Sequence, residues 1–390
     1  MKNSRVLRLL IVFVALLLFV FYSSKISVRL WGGKPEKIEA PQELEISENM
    51  TIAEFGNQNN IPNEVLQKVF QVKNKPDLQK SLNETGLKEI QIREKINQAL
   101  AIHSEHQSKN WKKILLKFVL WFAFLAVVFV LIRNGKVTPK SRKILYGISI
   151  LLFGVALGSD PSPMGTIKDA IVLMGVNKAI FPPRLIAFIV FLLLVVVANK
   201  FICSWGCQIG TLQDIIFRLN RNKDDRKGIF RQYKPPFVLT NTIRILFFIA
   251  LILGAFISAV DIVELIDPFK FYNPAALTIL GGIFIIGLLI LSLFIYRPWC
   301  HFFCPFGLVG WLAEKIAIFK IKVNYETCIA CNACAKACPS NVMDAILKRE
   351  KTIPDCFSCA TCINVCPTQS IKWASGKRAF PPERKFEKKE

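Results

Sequence analysis

Six apolar stretches decide which solvent this chain can fold in: residues 6–22, 114–132, 144–157, 185–202, 245–260 and 275–296. Each is apolar on all sides, whereas a core helix of a soluble protein keeps a polar face. Runs of that kind suit the hydrocarbon of a bilayer, which about 20 helical residues cross. The third run, at about 14 residues, is short enough to fit a buried or re-entrant helix as well. Hydrophobic residues make up 52% of the chain and charged residues 20%, which excludes intrinsic disorder. The expectation is a mostly α protein built on a six-helix transmembrane bundle.

Basic residues orient the runs. Lys2, Arg5 and Arg8 precede the first run. Arg133, Lys136, Lys140, Arg142 and Lys143 lie between the second and third with no acid among them. Arg218, Arg221, Lys223, Arg226, Lys227, Arg231, Lys234 and Arg244 lie between the fourth and fifth, against Asp214, Asp224 and Asp225. The remaining links are neutral (Asp160, Lys168, Asp169, Lys178) or acidic (Asp261, Glu264, Asp267, Lys270). Both termini are therefore expected in the cytoplasm. The exit Phe21-Tyr22-Ser23-Ser24-Lys25 offers no small-x-small cleavage site, so the first run reads as an uncleaved anchor rather than a signal peptide.

The same distribution accounts for the formal charge of +23, from 51 Lys+Arg against 28 Asp+Glu. Such an excess often marks a nucleic-acid binder, but here it lies in cytoplasmic links and a basic tail, and no nucleic-acid partner is expected. The tail can attract anionic lipid or an acidic redox partner.

Residues 25–110 are polar, helical in pattern and placed outside the membrane by this topology. Thr51-Ile52-Ala53-Glu54 and Ser81-Leu82-Asn83-Glu84 both read as capping boxes. At an offset of 30, Gly56/Gly86, Glu64/Glu94, Leu66/Ile96 and Phe70/Leu100 also match, which predicts a duplicated helical hairpin with a docking or spacer role. His103 and His106 stand three residues apart, a spacing open to a metal or haem, although a solvated helix face explains them more simply. His301 is the sole other histidine, so no intramembrane pair exists to hold a b-type haem, and none is expected.

The cysteines carry the chemistry. Cys328-x2-Cys331-x2-Cys334-x3-Cys338-Pro339 is followed by Cys356-x2-Cys359-x2-Cys362-x3-Cys366-Pro367, the bacterial two-cluster ferredoxin run written twice. Three thiolates of one loop take three corners of a [4Fe–4S] cube, and the fourth cysteine reaches the other cluster. The expected ligand sets are Cys328, Cys331, Cys334 and Cys366 for one cluster, and Cys356, Cys359, Cys362 and Cys338 for the second. Zinc ribbons use C-x2-C pairs too, but without four cysteines in this run. Ala330 and Ala333 supply the small residues that a cluster loop needs.

Four more cysteines follow the fourth and sixth apolar runs. Cys203-Ser-Trp-Gly-Cys207 and Cys300-His-Phe-Phe-Cys304-Pro305 align at an offset of 97, together with Lys200/Arg297 and Gly210/Gly307. Each pair would share one helix face. Two such faces meeting at the cytoplasmic membrane edge would form a four-thiolate site for a further Fe–S cluster, zinc or copper(I). The plainer alternative is four small buried hydrophobes.

At these residues the chain resembles the NapH-like membrane polyferredoxin family, whose cores are similar to those of NosR-type and CcoG/FixG-type proteins. The resemblance covers about residues 111–373 and includes Asp160-Pro161-Ser162-Pro163 with Lys168-Asp169. Gln208 departs from the proline expected after the first pair. No S/T-G-A-T sequence is present for covalent FMN, and no long soluble domain follows Cys366.

The resemblance implies a multi-pass electron-transfer protein of a prokaryotic inner membrane, a quinol dehydrogenase or oxidoreductase subunit exchanging electrons between the quinone pool and a partner redox complex. Trp205, Trp299 and His301 stand near the expected quinone site, although interfacial anchoring would also place them there. A CcoG-type reading makes it instead an assembly factor that reduces or delivers copper for an oxidase. A third reading is a redox-sensing regulator. The expected organisation is an anchor at 1–24, an outer helical repeat domain at 25–110, a transmembrane core at 111–310, a C-terminal α+β ferredoxin domain at 320–373 and a basic cytoplasmic tail at 374–390.

Overall fold

The computed structural model describes residues 2–31, 41–47, 50–72, 75–222, 225, 228–348, 350–383 and 385–386. Lys223, Asp224, Arg226 and Lys227 of the basic link, and 384 and 387–390 of the tail, lie outside the described residues.

All six apolar runs are helical. They form α1 (Lys2–Trp31), α5 (Trp111–Arg133), α6 (Pro139–Ile148) with its π-type continuation Ser149–Ala156, α8 (Pro182–Ala198), α11 (Phe237–Ile257) and α12 (Ile279–Leu291). Three of these, α1, α5 and α11, are long and apolar enough to cross a membrane. Their outward residues are large and apolar: Leu115, Val238 and Ile257 are each more than 60% exposed, far from what water-facing helices tolerate as a continuous surface. The helix α7 (Pro163–Asn177) packs between α8 and α11. Gly175 permits this crossing, since a Cβ there would lie 2.7 Å from the Ala255 backbone.

The segment after α1 is a small helical unit with its own core. It contains α2 (Ile52–Gln58), α3 (Asn63–Phe70), a 3-10 turn Leu82–Thr85 and α4 (Glu89–Gln107), packed on Phe55, Leu66, Leu82, Ile92 and Ile96. Thr51 closes a full capping box with Glu54, and Ser81 caps the 3-10 turn. An antiparallel bridge sets Thr51 against Ser81, so the two starts of the repeat lie side by side. The second copy opens as a 3-10 turn rather than an α-helix. The unit meets the bundle through Ala101 against Leu173, Ala179 and Phe181, and through Arg184 on Glu105 at 2.8 Å.

At the opposite end of the bundle, β1 (Phe319–Val323) and β2 (Ile371–Ser375) pair antiparallel, with Ile321 opposite Trp373. Between them run α15 (Ala333–Ala337), α16 (Val342–Leu347) and α17 (Thr361–Asn364). Phe129 of α5 and Phe201 pack on Trp373, seating this α+β unit against the helices.

Candidate functional site

Each C-x3-C motif follows a sharp reversal of the chain. Asn199 ends α8 with a left-handed φ of 62°, and α9 (Phe201–Trp205) turns back into the bundle. Arg297 repeats the device at φ 47°, and α13 (Pro298–Phe302) re-enters in the same way. Descending helices α10 (Gln208–Leu219) and α14 (Pro305–Glu314) follow.

Depth is set by two mid-helix residues. Trp121, near the middle of α5, donates its indole N–H to the Gly206 carbonyl at 2.9 Å. Phe247, at the middle of α11, packs edge-on against Phe303 at 5.4 Å and Trp299 at 6.4 Å. The thiols therefore stand level with the centres of α5 and α11. An apolar run shows only that a segment is dehydrated; it cannot show that the chain doubles back.

The two motifs share one architecture across the offset of 97. A Cβ at Gly210 would meet the Cys203 carbonyl at 2.5 Å, and one at Gly307 the Cys300 carbonyl at 2.7 Å. The cations exchange partners between the copies. Arg297 of the second donates to the Cys203 carbonyl of the first at 2.5 Å. Lys200 of the first donates to the Gly307 carbonyl of the second at 2.6 Å. Arg244 reaches the Cys300 carbonyl at 3.3 Å. Cys203, Cys300 and Cys304 are buried and Cys207 is half-buried.

Buried cations at mid-depth need partners. Arg297 pairs with Asp214 at 2.6 Å, and Asp214 also accepts from Tyr146, Tyr296 and Arg218. Arg218, Arg142 and Arg221 converge on Asp225. Trp205, Trp299 and His301 are all buried: Trp205 donates to the Ser358 carbonyl and Trp299 faces the Met164 sulfur at 3.3 Å. Interfacial anchoring is therefore not their role.

The eight ferredoxin cysteines fall around two cavities. Cys338, Cys356, Cys359 and Cys362 line one of about 380 Å³ of empty volume, walled by Ile321, Val342, Met343 and Phe357. Cys328, Cys331, Cys334 and Cys366 line the other, of about 340 Å³. In each loop the residues flanking the middle cysteine are left-handed: Ala330 and Asn332 in the first, Ser358 and Ala360 in the second. That repeated curl turns the three thiols of a loop inward. Cys359 Sγ lies 3.3 Å from the Thr361 hydroxyl and Cys366 Sγ 3.7 Å from that of Thr368. Four soft donors around an apolar-walled space fit a [4Fe–4S] group. Among the described residues no three His, Cys, Asp or Glu side chains converge closely enough for a single metal ion.

Between the inner cavity and the thiol quartet lies Asp355, which the motifs do not reveal. Burial opposes its ionisation, but Lys200 and Arg244 outweigh that and hold the carboxyl at about 2. Glu314 accepts from the Cys356 N–H, and burial pushes its carboxyl up to about 8. The histidine pair in α4 does not converge: His103 faces Glu64 at 3.6 Å, while His106 packs on Trp111 at 5.2 Å.

Comparison with known proteins agrees with this layout. A 4Fe-4S binding domain matches twice, at 180–227 and 277–325, copies again 97 residues apart, and a 4Fe-4S dicluster domain matches 320–367. YccM of Escherichia coli (strain K12), provisionally named an electron transport protein, is 35% identical over 170 residues, covering 40% of this chain and 45% of its own length. The ferredoxin-type protein NapH of the same organism is 25% identical over 160 residues, 39% of this chain and 52% of its own. An uncharacterized Methanocaldococcus jannaschii protein, MJ0750, is 25% identical over 160 residues, 40% of this chain and 64% of its own. The chain thus matches from under half to under two thirds of these relatives' length. No solved structure matches. The chain carries repeated 4Fe–4S binding domains and a dicluster ferredoxin domain, and over those regions it is similar to YccM and NapH.

Proposed function

We propose that this chain is a membrane-bound iron–sulfur protein that passes electrons between the quinol pool and a partner redox complex. The observation that carries the reading is the adjacency of three cysteine sites. The quartet Cys203, Cys207, Cys300 and Cys304 lies at mid-depth, the inner cavity is tied to it through Asp355 on Lys200 and Arg244 and through Ser358 on Trp205, and the outer cavity opens toward Cys331, which is exposed. When bound, a [4Fe–4S] cluster supplies one-electron redox chemistry at thiolate ligands. The protein holds the thiols, excludes water with Ile321, Val342 and Phe357, and surrounds the deepest site with Lys200, Arg244 and Arg297.

In this reading the six apolar helices span the inner membrane as a multi-pass core. The ferredoxin unit and both termini face the cytoplasm, and residues 25–110 stand outside as a docking module. The two cavities each take one cluster, with the ligand sets drawn from the motifs. The names of YccM and NapH, an electron transport protein and a ferredoxin-type protein, support the assignment. The quartet, four soft thiolate donors set in the buried core, takes a further cluster.

The test is anoxic purification followed by EPR before and after menaquinol. Signals that grow on adding quinol are expected. Intact clusters that quinol never reduces would sink the quinol assignment.

A further inference from the structure

Residues 354–358 are all buried, and four of the five are gripped by a different part of the bundle. Asp355 pairs with Lys200 and with Arg244, the latter at 3.0 Å. The Cys356 N–H donates to Glu314 at 3.1 Å. The Phe357 ring packs on Tyr296 at 5.8 Å and on His301 at 5.4 Å, with the Arg297 guanidinium 5.0 Å from its centre. The Ser358 carbonyl accepts the Trp205 indole at 3.3 Å. The segment is a plug, and its socket is built from both copies of the repeat.

The two cations on Asp355 are the ones that hold the thiol motifs. Lys200 also caps the Gly307 carbonyl and Arg244 the Cys300 carbonyl. A single carboxylate, on the residue next to Cys356, therefore sits between two thiolate-rich sites and offsets part of the positive charge that separates them. Buried ion pairs are poor sources of stability compared with apolar packing, so stability alone is a weak reason for this one.

We infer that Asp355 is a positioning residue that seats the ferredoxin unit on the buried thiol quartet and balances the charge between their two redox centres. The inference rests on the reading that both sites hold iron–sulfur clusters. The one electron exchanged between the quartet and the inner cavity crosses the ground occupied by Asp355, Lys200 and Arg244. Loss of the carboxylate charge leaves both cations uncompensated, which favours the reduced, more negative form of each flanking centre. The outer centre, held by Cys328, Cys331, Cys334 and Cys366, lies beyond that influence.

The experiment compares the anoxically purified full-length holoprotein with D355N, which removes charge at nearly constant shape, and D355E, which restores it. Iron and acid-labile sulfide are counted, each EPR signal is titrated against potential with dithionite, and deuterium exchange is followed over 354–358. We expect D355N to keep its iron and sulfide, to raise the potential of the inner-cavity centre while the outer centre stays put, and to exchange faster in the plug. D355E should return the potential toward wild type. K200M, which removes one of the cations, should move the same centre downward, and it tests the idea even where D355N does not fold. Full cluster content with unchanged potentials in D355N, or in K200M alone where D355N does not fold, overturns the inference. Wild-type protein that holds no iron and sulfide overturns instead the cofactor reading beneath it.

Discussion

Arg297 and Asp214 meet at 2.6 Å with both side chains fully buried, at the centre of a network that also binds Tyr146, Tyr296 and Arg218 to the same carboxylate. Removing one partner of such a pair strands a charge in an apolar interior. D214A should cost about 3–5 kcal/mol. Thermal unfolding in detergent reads the loss, and a variant as stable as wild type would show that water or lipid headgroups already solvate Arg297.

Gly175 and Gly287 make a matched pair. A Cβ at Gly175 would lie 2.7 Å from the backbone of Ala255, whereas one at Gly287 meets nothing within 4 Å. G175A should destabilise the α7–α11 crossing by about 1–3 kcal/mol, the usual cost of overpacking. G287A should be neutral within the error of the same melt. Equal effects would mean that the helices separate freely at that crossing.

The cavity linings sort the fourth cysteine of each ferredoxin run to the opposite loop: Cys338 lines the cavity of Cys356, Cys359 and Cys362, and Cys366 that of Cys328, Cys331 and Cys334. C366S should therefore cost about four irons per chain and leave the signal of the Cys356 loop in place. Iron analysis with EPR decides, and loss of the Cys356-loop signal instead would reverse the pairing.

Exposure ranks the centres for oxidative loss. Cys331 and Ile329 face solvent, while Cys356, Cys362 and Cys338 are buried. Brief exposure to air should strip the outer centre first and make Cys331 the earliest thiol to react with a maleimide. Simultaneous labelling of Cys331 and Cys362 would show that the unit opens as a whole.

The helices and the cysteine chemistry were both legible from residue order, because an all-round apolar run and a C-x2-C-x2-C-x3-C-P run each have few physical solutions. The offset of 97 also pointed correctly to paired motifs. Their depth was not legible. Asn199 and Arg297 reverse the chain at positive φ, and although Asn adopts that backbone more readily than most residues, Arg gives no sign of it. A usable hint was present in the charge: Lys200 and Arg297 directly precede the motifs, and a cation carried back into a bundle demands a buried acid. Asp214 and Asp355 meet that demand from 83 and 155 residues away in the chain. Such distant pairing leaves no local pattern. The second hairpin of the outer unit was read as a copy of the first, yet its start tightens to a 3-10 turn, since Ser81 caps Asn83 at 3.4 Å rather than the residue three on.

The exchange of Lys200 and Arg297 between the two copies has a consequence for how the core could be divided. Cut between residues 227 and 277, each piece would keep two thiols of the quartet and surrender the cation that steadies its own backbone. The first would lose the guanidinium on the Cys203 carbonyl, and the second the ammonium on the Gly307 carbonyl. One repeat by itself is an unfinished half, complete only in the embrace of another.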